Sequence, residues 1–323
     1  MAVTLSCAFA TSTESHEHAR IAEELGYARA WFYDSPALYP DVWVQLCRAA
    51  ERTTRIGLGP GVLVPSLRHP MTNAAAIATL ASIAGAGRVA VAVGSGFTGR
   101  FALGQRPLAW SRVSEYVRVL RALLRGQAAT WEGAVLQMLH PAGYGAPRPI
   151  EVPFAIAAAG PKGIAAARAL GDGVFGAPTP IPGFAWSIAL TLGTVLEDGE
   201  SPGSARALAA AGHAAPVMFH WALEHRMTDR LPGGDAWTTA YADVPADRRH
   251  LALHDRHLIA VNERDRPFVT GELLAQLGLA LPRVAWRERV ALLESQGATE
   301  IAYQPAGPDI PRELAAFASA VRG

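Results

Sequence analysis

Short apolar runs rich in valine, isoleucine and alanine alternate along this chain with longer stretches whose apolar residues recur at helical spacing. A loop bearing Gly, Pro or Ser separates the members of each pair. This alternation predicts parallel βα units. "VTLSCAFA" precedes the helix "ESHEHARIAEELG", "RAWFYDS" precedes "DVWVQLCRAAERT", "RIGLGPGVLV" precedes "PMTNAAAIATLASIAG", and "RVAVAVGSG" precedes a helix over Ser111 to Arg125. "AATWEGAVLQML" reads as an extra hairpin. "PFAIAAAG" with "PKGIAAARALG", then "GVFGAP" with the helix "GFAWSIALTLGTVLE", supply a fifth and sixth unit. "APVMFHWAL" reads as a seventh strand and "TEIAYQPAG" as an eighth, closed by the helix "IPRELAAFASAVRG".

Eight such units predict an α/β protein of the (β/α)8 TIM-barrel class and not an open doubly wound sheet. Between about residues 224 and 282 the pattern loosens into short helical pieces rich in Arg, His and Asp, read as an insertion between the seventh and eighth strands. No polar linker or low-complexity tract divides the chain, so residues 1–323 form one barrel domain with that inserted region.

Composition narrows the partners. Half of the residues are apolar, enough for a large core, and the net charge of +1 is spread along the chain, which excludes a basic stripe for nucleic acid or a polybasic membrane patch. No run is long enough to span a bilayer, and the N-terminus lacks the basic start of a signal peptide. Cys7 and Cys47 both sit in apolar segments, which fits a reducing cytoplasm better than a disulfide framework. The expected partner is a small-molecule substrate.

In a (β/α)8 barrel the chemistry collects at the C-terminal strand ends. The fourth of these, "VAVAVGSGFTG", carries Gly94, Gly96 and Gly99 in a literal G-x-G-x-x-G spacing. A Rossmann reading needs a helix to follow directly, and Gly104 and Pro107 interrupt it. The glycines are read instead as backbone that approaches something lying across the mouth, with Ser95 as a small polar group. Asp34 and Ser35 end the second strand, where a carboxylate orients a ligand, moves a proton, or simply caps a loop. Gly59, Pro60 and Gly61 end the third, marking either a bend or the close approach of a flat ligand. "AAAGPKG" ends the fifth: the free N–H groups of a helix beginning at Gly160 and Pro161, with Lys162 beside them, make an anion seat that fits phosphate. His250, His254 and His257 share one face if "RRHLALHDRHL" is a continuous helix, and without matching carboxylates or thiolates they are read as substrate-side groups and not as metal ligands. His220, inside the presumed seventh strand, points into the barrel or is a core histidine.

The stretches "GVLVPSLRHPMTNAAAIATLASIAGAGRVAVAVGSG" and "FAIAAAGPKGIAAARALGDGVF" resemble the luciferase-like flavin and deazaflavin oxidoreductases, a likeness that runs through nearly the whole chain. Residues 61–70 and 160–162 look most like the coenzyme F420 branch, which includes methylenetetrahydromethanopterin reductase. The resemblance implies a cofactor across the strand ends, its phosphate at Ala159, Gly160, Pro161 and Lys162 and its ring against Gly61 and Val62. It also implies a cis peptide between Gly61 and Val62, and Asp34 at a polar ring-side position, with Ser95 and Gly96 completing the cofactor set. Where the sugar-phosphate dehydrogenases of that branch carry a histidine and a glutamate, this chain has Ser35 and Phe97. That departure argues against glucose-6-phosphate and for a flat or apolar substrate.

The expectation is therefore an oxidoreductase that transfers hydride between coenzyme F420 and a small organic substrate bearing C=N, C=C or C=O. Asp34 and His257 are its candidate catalytic groups, the latter as a proton donor, and Ser35, Phe97 and His254 its substrate contacts. Two other readings stand beside it: an FMN-dependent monooxygenase using oxygen, and a non-catalytic flavin-binding barrel. A cytoplasmic homodimer through the helices "DVWVQLCRAAERT" and "PMTNAAAIATLASIAG" is expected from the resembling family.

Overall fold

The computed structural model describes residues 3–322. Eight parallel strands form its centre: Thr4–Phe9, Arg29–Phe32, Gly57–Pro60, Val91–Gly94, Phe154–Ala157, Gly173–Gly176, Ser187–Leu192 and Glu300–Gln304. The sheet runs third, second, first, eighth, seventh, sixth, fifth, fourth. It closes on itself where Leu58 bridges Val89 and Leu63 bridges Val93, so the architecture is the (β/α)8 barrel that the alternating pattern predicts. The helices Ser15–Glu24, Val42–Arg52, Pro70–Ala84, Trp110–Leu124, Gly160–Leu170, Arg283–Ser295 and Ile310–Arg322 pack outside, and Ala129–Trp131 pairs with Ala134–Leu136 as the extra hairpin.

The barrel interior is sized by one side chain. Trp31 projects inward among Ala8, Ala90, Ala92, Ala155, Ala302, Phe175 and Ile188. Its indole stacks on Trp186 and meets the Phe175 ring edge-on. At the N-terminal end of the barrel its Nε1–H donates to Glu300 Oε1 at 3.0 Å, while Trp186 Nε1–H donates to Oε2 at 2.8 Å. A buried carboxylate is thus satisfied by two ring donors, as burial requires.

The seventh unit differs from the sequence reading. "SIALTL", expected inside a helix, is the seventh strand, and "APVMFHWAL", expected to be that strand, lies in the helix Ala215–Glu224. A central barrel strand is buried on both faces and shows no alternation, so periodicity does not separate it from a buried helix. Pro216 was the available signal, because proline fits the first turn of a helix and removes a donor from a strand. The sixth and seventh strands are joined by an irregular segment through the cis peptide Ala177–Pro178, with no intervening helix.

The excursion before the eighth strand consequently starts at Gly193, well ahead of residue 224, and runs to Pro282. Its two ends are tied together: Thr194–Val195 pairs in parallel with Ala280–Leu281. Inside it, Phe219, Trp237, Tyr241 and Leu253 form a small core around a buried carboxylate. Asp265 accepts from Trp237 Nε1 at 2.7 Å, Tyr241 Oη at 2.8 Å and Asn262 Nδ2 at 2.7 Å.

Ion pairs fasten the root of the excursion to the last helix. Arg206 bridges Glu200 and Glu313, and Thr194 Oγ1 donates to Glu313 Oε2 at 2.7 Å. The Arg206 hydrogen bond, with help from Ser204 and the Glu197 N–H, holds the Glu200 carboxyl down to about 2 from its ordinary 4.5. A carboxyl whose folded pKa is depressed contributes stability above its unfolded pKa and loses it as pH falls toward the folded one. Glu200→Gln is expected to cost about 1–2 kcal/mol at pH 7, the partial exposure of Arg206 reducing the full effect. Urea unfolding at a series of pH values should show the gap between parent and variant shrinking from pH 4.5 toward 2.

Candidate functional site

The C-terminal strand ends bring most of the expected residues to one mouth. The second strand passes through Tyr33 to Asp34 and Ser35, and the third continues into Gly61 and Val62, whose peptide is cis. Fourth-strand residue Gly94 lies under Val62: a Cβ on it would meet Val62 Cγ2 at 3.0 Å and Ala157 Cβ at 3.3 Å. Gly96 has φ +86° and caps the short helix Phe97–Phe101. That helix carries Thr98 toward the excursion and Gly99 over Ser35, whose Oγ would lie 3.2 Å from a Cβ there.

The glycines of the third strand answer to packing within the protein. A Cβ on Gly59 would lie 1.9 Å from the Ala90 carbonyl oxygen, and one on Gly61 would lie 3.1 Å from Trp31 Cβ. The close approach expected of a ligand at Gly59 is therefore made by the neighbouring strand.

Asp34 is neither a helix cap nor a free base. It is buried, and both carboxylate oxygens accept from Arg68 Nη1, at 2.5 and 2.6 Å. Arg68 Nη2 continues to Asp41 Oδ2 at 2.8 Å, and Asp41 is the residue that caps the helix Val42–Arg52 through the N–H groups of Trp43 and Val44. Burial raises the Asp34 pKa against the opposing charge of Arg68. Burial also works against the Arg68 charge, but Asp34 and Asp41 together raise its pKa. Arg68 is the member of this constellation that sequence reasoning missed, although it stands in the quoted "RHP". Nothing local marks it, because its partner is distant in sequence. Below it, Trp43, Asn73 and Tyr116 form a hydrogen-bonded chain that ends near the Arg68 carbonyl.

At the fifth strand, the helix Gly160–Leu170 begins with no side-chain cap, and Ala159, Gly160, Pro161 and Lys162 are exposed while Gly163 is buried. Gly160 has φ +70° with open space where a Cβ would be. The N–H groups of Gly160, Lys162 and Gly163 are the donors of this turn, Pro161 having none. Trp110 packs beneath, since a Cβ on Gly163 would meet its ring at 2.7 Å.

The histidines regroup. The helix Arg249–Leu253 ends before His254, with Arg256 and Leu258 at φ of 55° and 58°, so His250, His254 and His257 do not share a continuous helical face. His250 lies against Gly104. His254 and His257 turn instead toward His220, which sits on the helix Ala215–Glu224 and not in a strand. His257 reaches the barrel mouth: its Nε2 is 3.4 Å from Thr98 Oγ1, and its carbonyl accepts from Tyr39 Oη at 2.9 Å. Burial pushes His220 down to about 3 and His213 to about 4, and lowers His254 and His257 as well. Burial therefore favours the uncharged imidazole in all four. Leu258 packs on the barrel interior and its carbonyl accepts from Gln304 Nε2 at 3.1 Å, so the excursion covers the mouth. A cleft of about 330 Å³ remains between Leu38, Ala102, Leu251, His254 and His257. Phe97 stands half-exposed with its ring T-shaped against Phe101 at 4.8 Å.

A buried pair that loses one partner leaves the other uncompensated. Arg68→Met is expected to destabilise the fold by about 3–5 kcal/mol, whereas Asp34→Asn, which leaves Arg68 paired with Asp41, should cost about 1–2 kcal/mol. Urea unfolding of the two variants tests the order, and a smaller cost for Arg68→Met would contradict it.

Comparison with known proteins places this mouth in context. The 5,10-methylenetetrahydromethanopterin reductase of Archaeoglobus fulgidus is 33% identical over 165 residues, covering 50% of this chain and 48% of that protein. The F420-dependent glucose-6-phosphate dehydrogenase of Beutenbergia cavernae is 35% identical over 149 residues, covering 43% and 41%. The chain thus matches rather less than half the length of these curated relatives. The structure of the coenzyme F420-dependent tetrahydromethanopterin reductase from Methanopyrus kandleri superposes with a TM-score of 0.67 at 18% identity, over 99% of both chains, which shows the shared fold. The model of the luciferase-like monooxygenase family matches residues 8–297, and the chain belongs to that family.

Proposed function

We propose that this protein is an oxidoreductase that transfers hydride between coenzyme F420 and a small organic substrate with a C=N, C=C or C=O group. The observation that carries the reading is the uncapped helix start at Gly160, with Gly160, Pro161 and Lys162 facing solvent, placed at a strand end beside the mouth. Similarity over 43% of the chain to an F420-dependent glucose-6-phosphate dehydrogenase supports the choice of cofactor.

The residues present fit such a group. Gly160, Lys162 and Gly163 would hold its phosphate through backbone N–H groups and the Lys162 charge, with Ala159 and Pro161 shaping the turn. Gly61 and Val62 would lie on one side of the ring and Ser95 and Gly96 on another. When bound, the cofactor supplies the hydride; the protein supplies placement and shelter from water. Asp34 acts as a positioning group whose orientation is fixed by Arg68. Leu258 and Tyr39, held by Gln304 and His257 backbone contacts, cover the interior. Ser35, His254 and His257 would present polar contacts to the substrate, and Phe97 with Phe101 an apolar wall suited to a flat or hydrophobic molecule.

A second reading, an FMN-dependent monooxygenase, is favoured by the family description and differs in consuming oxygen. Among the described residues no helix is long and apolar enough to cross a membrane. A cytoplasmic homodimer is part of the proposal, with Val44 and Ile83, exposed on the helices Val42–Arg52 and Pro70–Ala84, at its contact.

Parallel fluorescence titrations with F420 and with FMN test the assignment. Tighter binding of F420 is expected, and Lys162→Ala should weaken it about threefold to tenfold, more at low salt than at high, with an unchanged melting temperature. Preference for FMN with oxygen uptake would move the assignment to the second reading, and binding of neither would overturn the phosphate seat.

A further inference from the structure

Several buried polar atoms among the described residues lack a hydrogen-bond partner, and more than half of them are imidazole nitrogens. His220 is buried with neither ring nitrogen hydrogen-bonded, and His213 nearby in sequence shares that condition. A buried polar atom without a partner is costly, and each such case calls for an explanation. Around His220 stand His254 and His257, both buried. The three ring centroids are 5.5, 5.6 and 5.2 Å apart, close to an equilateral triangle. One ligating nitrogen from each lies within 4.8 Å of the others.

We propose that His220, His254 and His257 form a binding site for one first-row divalent cation of the zinc class. An ion about 2 Å from each of three imidazole nitrogens in tetrahedral arrangement sets the ring centroids about 5 Å apart, which is the spacing found here. The nitrogens then close to about 3.4 Å from one another by small side-chain rotations. One ligand is already set in orientation: His254 Nδ1–H donates to the His250 carbonyl at 2.8 Å, which fixes the tautomer with its Nε2 lone pair free. A second hydrogen bond of this kind is the usual support of a metal-ligating histidine. The ligands come from two separate segments, the helix Ala215–Glu224 and the turn that follows Leu253. A bound ion would therefore pin one part of the excursion to another.

The ligand set also says what kind of site this is. Three protein ligands leave a fourth position, and two of the three, His254 and His257, also line a cleft with Leu38 and Ala102. Thr98 stands on the barrel side of His257. A position without a protein ligand takes water or an oxygen atom of a bound molecule, whereas a closed structural site has four protein ligands. Imidazole ligands with no thiolate or carboxylate in the cluster favour zinc, cobalt, nickel or copper over magnesium or calcium. This inference does not depend on which organic cofactor the barrel binds.

The test is metal binding by the full chain. After removal of adventitious metal with a chelator, Co2+ is titrated and followed by its visible absorption, with Zn2+ as competitor. One equivalent per chain is expected, with the intense absorption of a four-coordinate site and displacement by Zn2+. His220→Phe, which keeps a buried ring of similar shape, should weaken Co2+ binding about 100-fold, and His250→Asn, whose ring lies outside the cluster, should leave it within about twofold. Zn2+ should raise the melting temperature of the parent and of His250→Asn but not of His220→Phe. If His220→Phe fails to fold, His254→Gln takes its place. The proposal is overturned if the parent shows no saturable Co2+ binding, or if a folded His220 or His254 variant binds as tightly as the parent.

Discussion

Everything in this barrel accommodates the indole of Trp31. A closed sheet of eight short strands has little interior volume, and this side chain occupies the centre of it, so its neighbours on the first, fourth, fifth and eighth strands are alanines. The third strand yields furthest, to glycine at positions 59 and 61, and at Gly59 the yielding lets the Ala90 carbonyl approach to a distance no side chain would permit. The indole N–H is satisfied by Glu300 at the N-terminal end of the barrel, while the strand leads on directly to Asp34 at the other. The tryptophan that sizes the core thereby sets where the mouth's buried carboxylate stands.

At the mouth, charge is handled by pairing and not by exposure to water. Asp34, Arg68 and Asp41 form a line from the barrel mouth to a helix cap, so the orientation of one carboxylate is coupled to the start of the helix Val42–Arg52. The excursion contributes neutral groups to the same region: imidazoles whose uncharged form burial favours, and backbone carbonyls that accept from Tyr39 and Gln304. The result is a covered space bounded by fixed dipoles and screened from solvent, which suits the hydride transfer proposed above.

Much of this was legible in the chain. The βα rhythm predicts the closed barrel because each amphipathic helix has a period that its strand lacks, and strand ends mark the mouth. The helix start at Gly160 was readable because Gly160 and Pro161 act locally. What failed to read depended on distance. "SIALTL" is buried on both sides, so its pattern is that of any apolar run. Arg68 acquires its meaning from Asp34, and His220 acquires its neighbours from a turn whose left-handed residues Arg256 and Leu258 no spacing rule anticipates. The grouping of His250 with His254 and His257 assumed a helix that ends too soon.

The two-residue ladder between Thr194–Val195 and Ala280–Leu281 bears on motion. Because the excursion leaves and rejoins the barrel at one paired point, the entropy of closing that long loop is settled at its base, independently of what lies beyond. The segment has its own small core around Asp265, so it meets the conditions of a cooperative unit that opens without unwinding the strands beneath. Amide exchange would then register two populations: slow protons in the barrel, and a faster, concerted set from residues 197–279. Access to the mouth becomes a property of that smaller unit's stability, adjustable by changes in a segment that leaves the barrel register untouched.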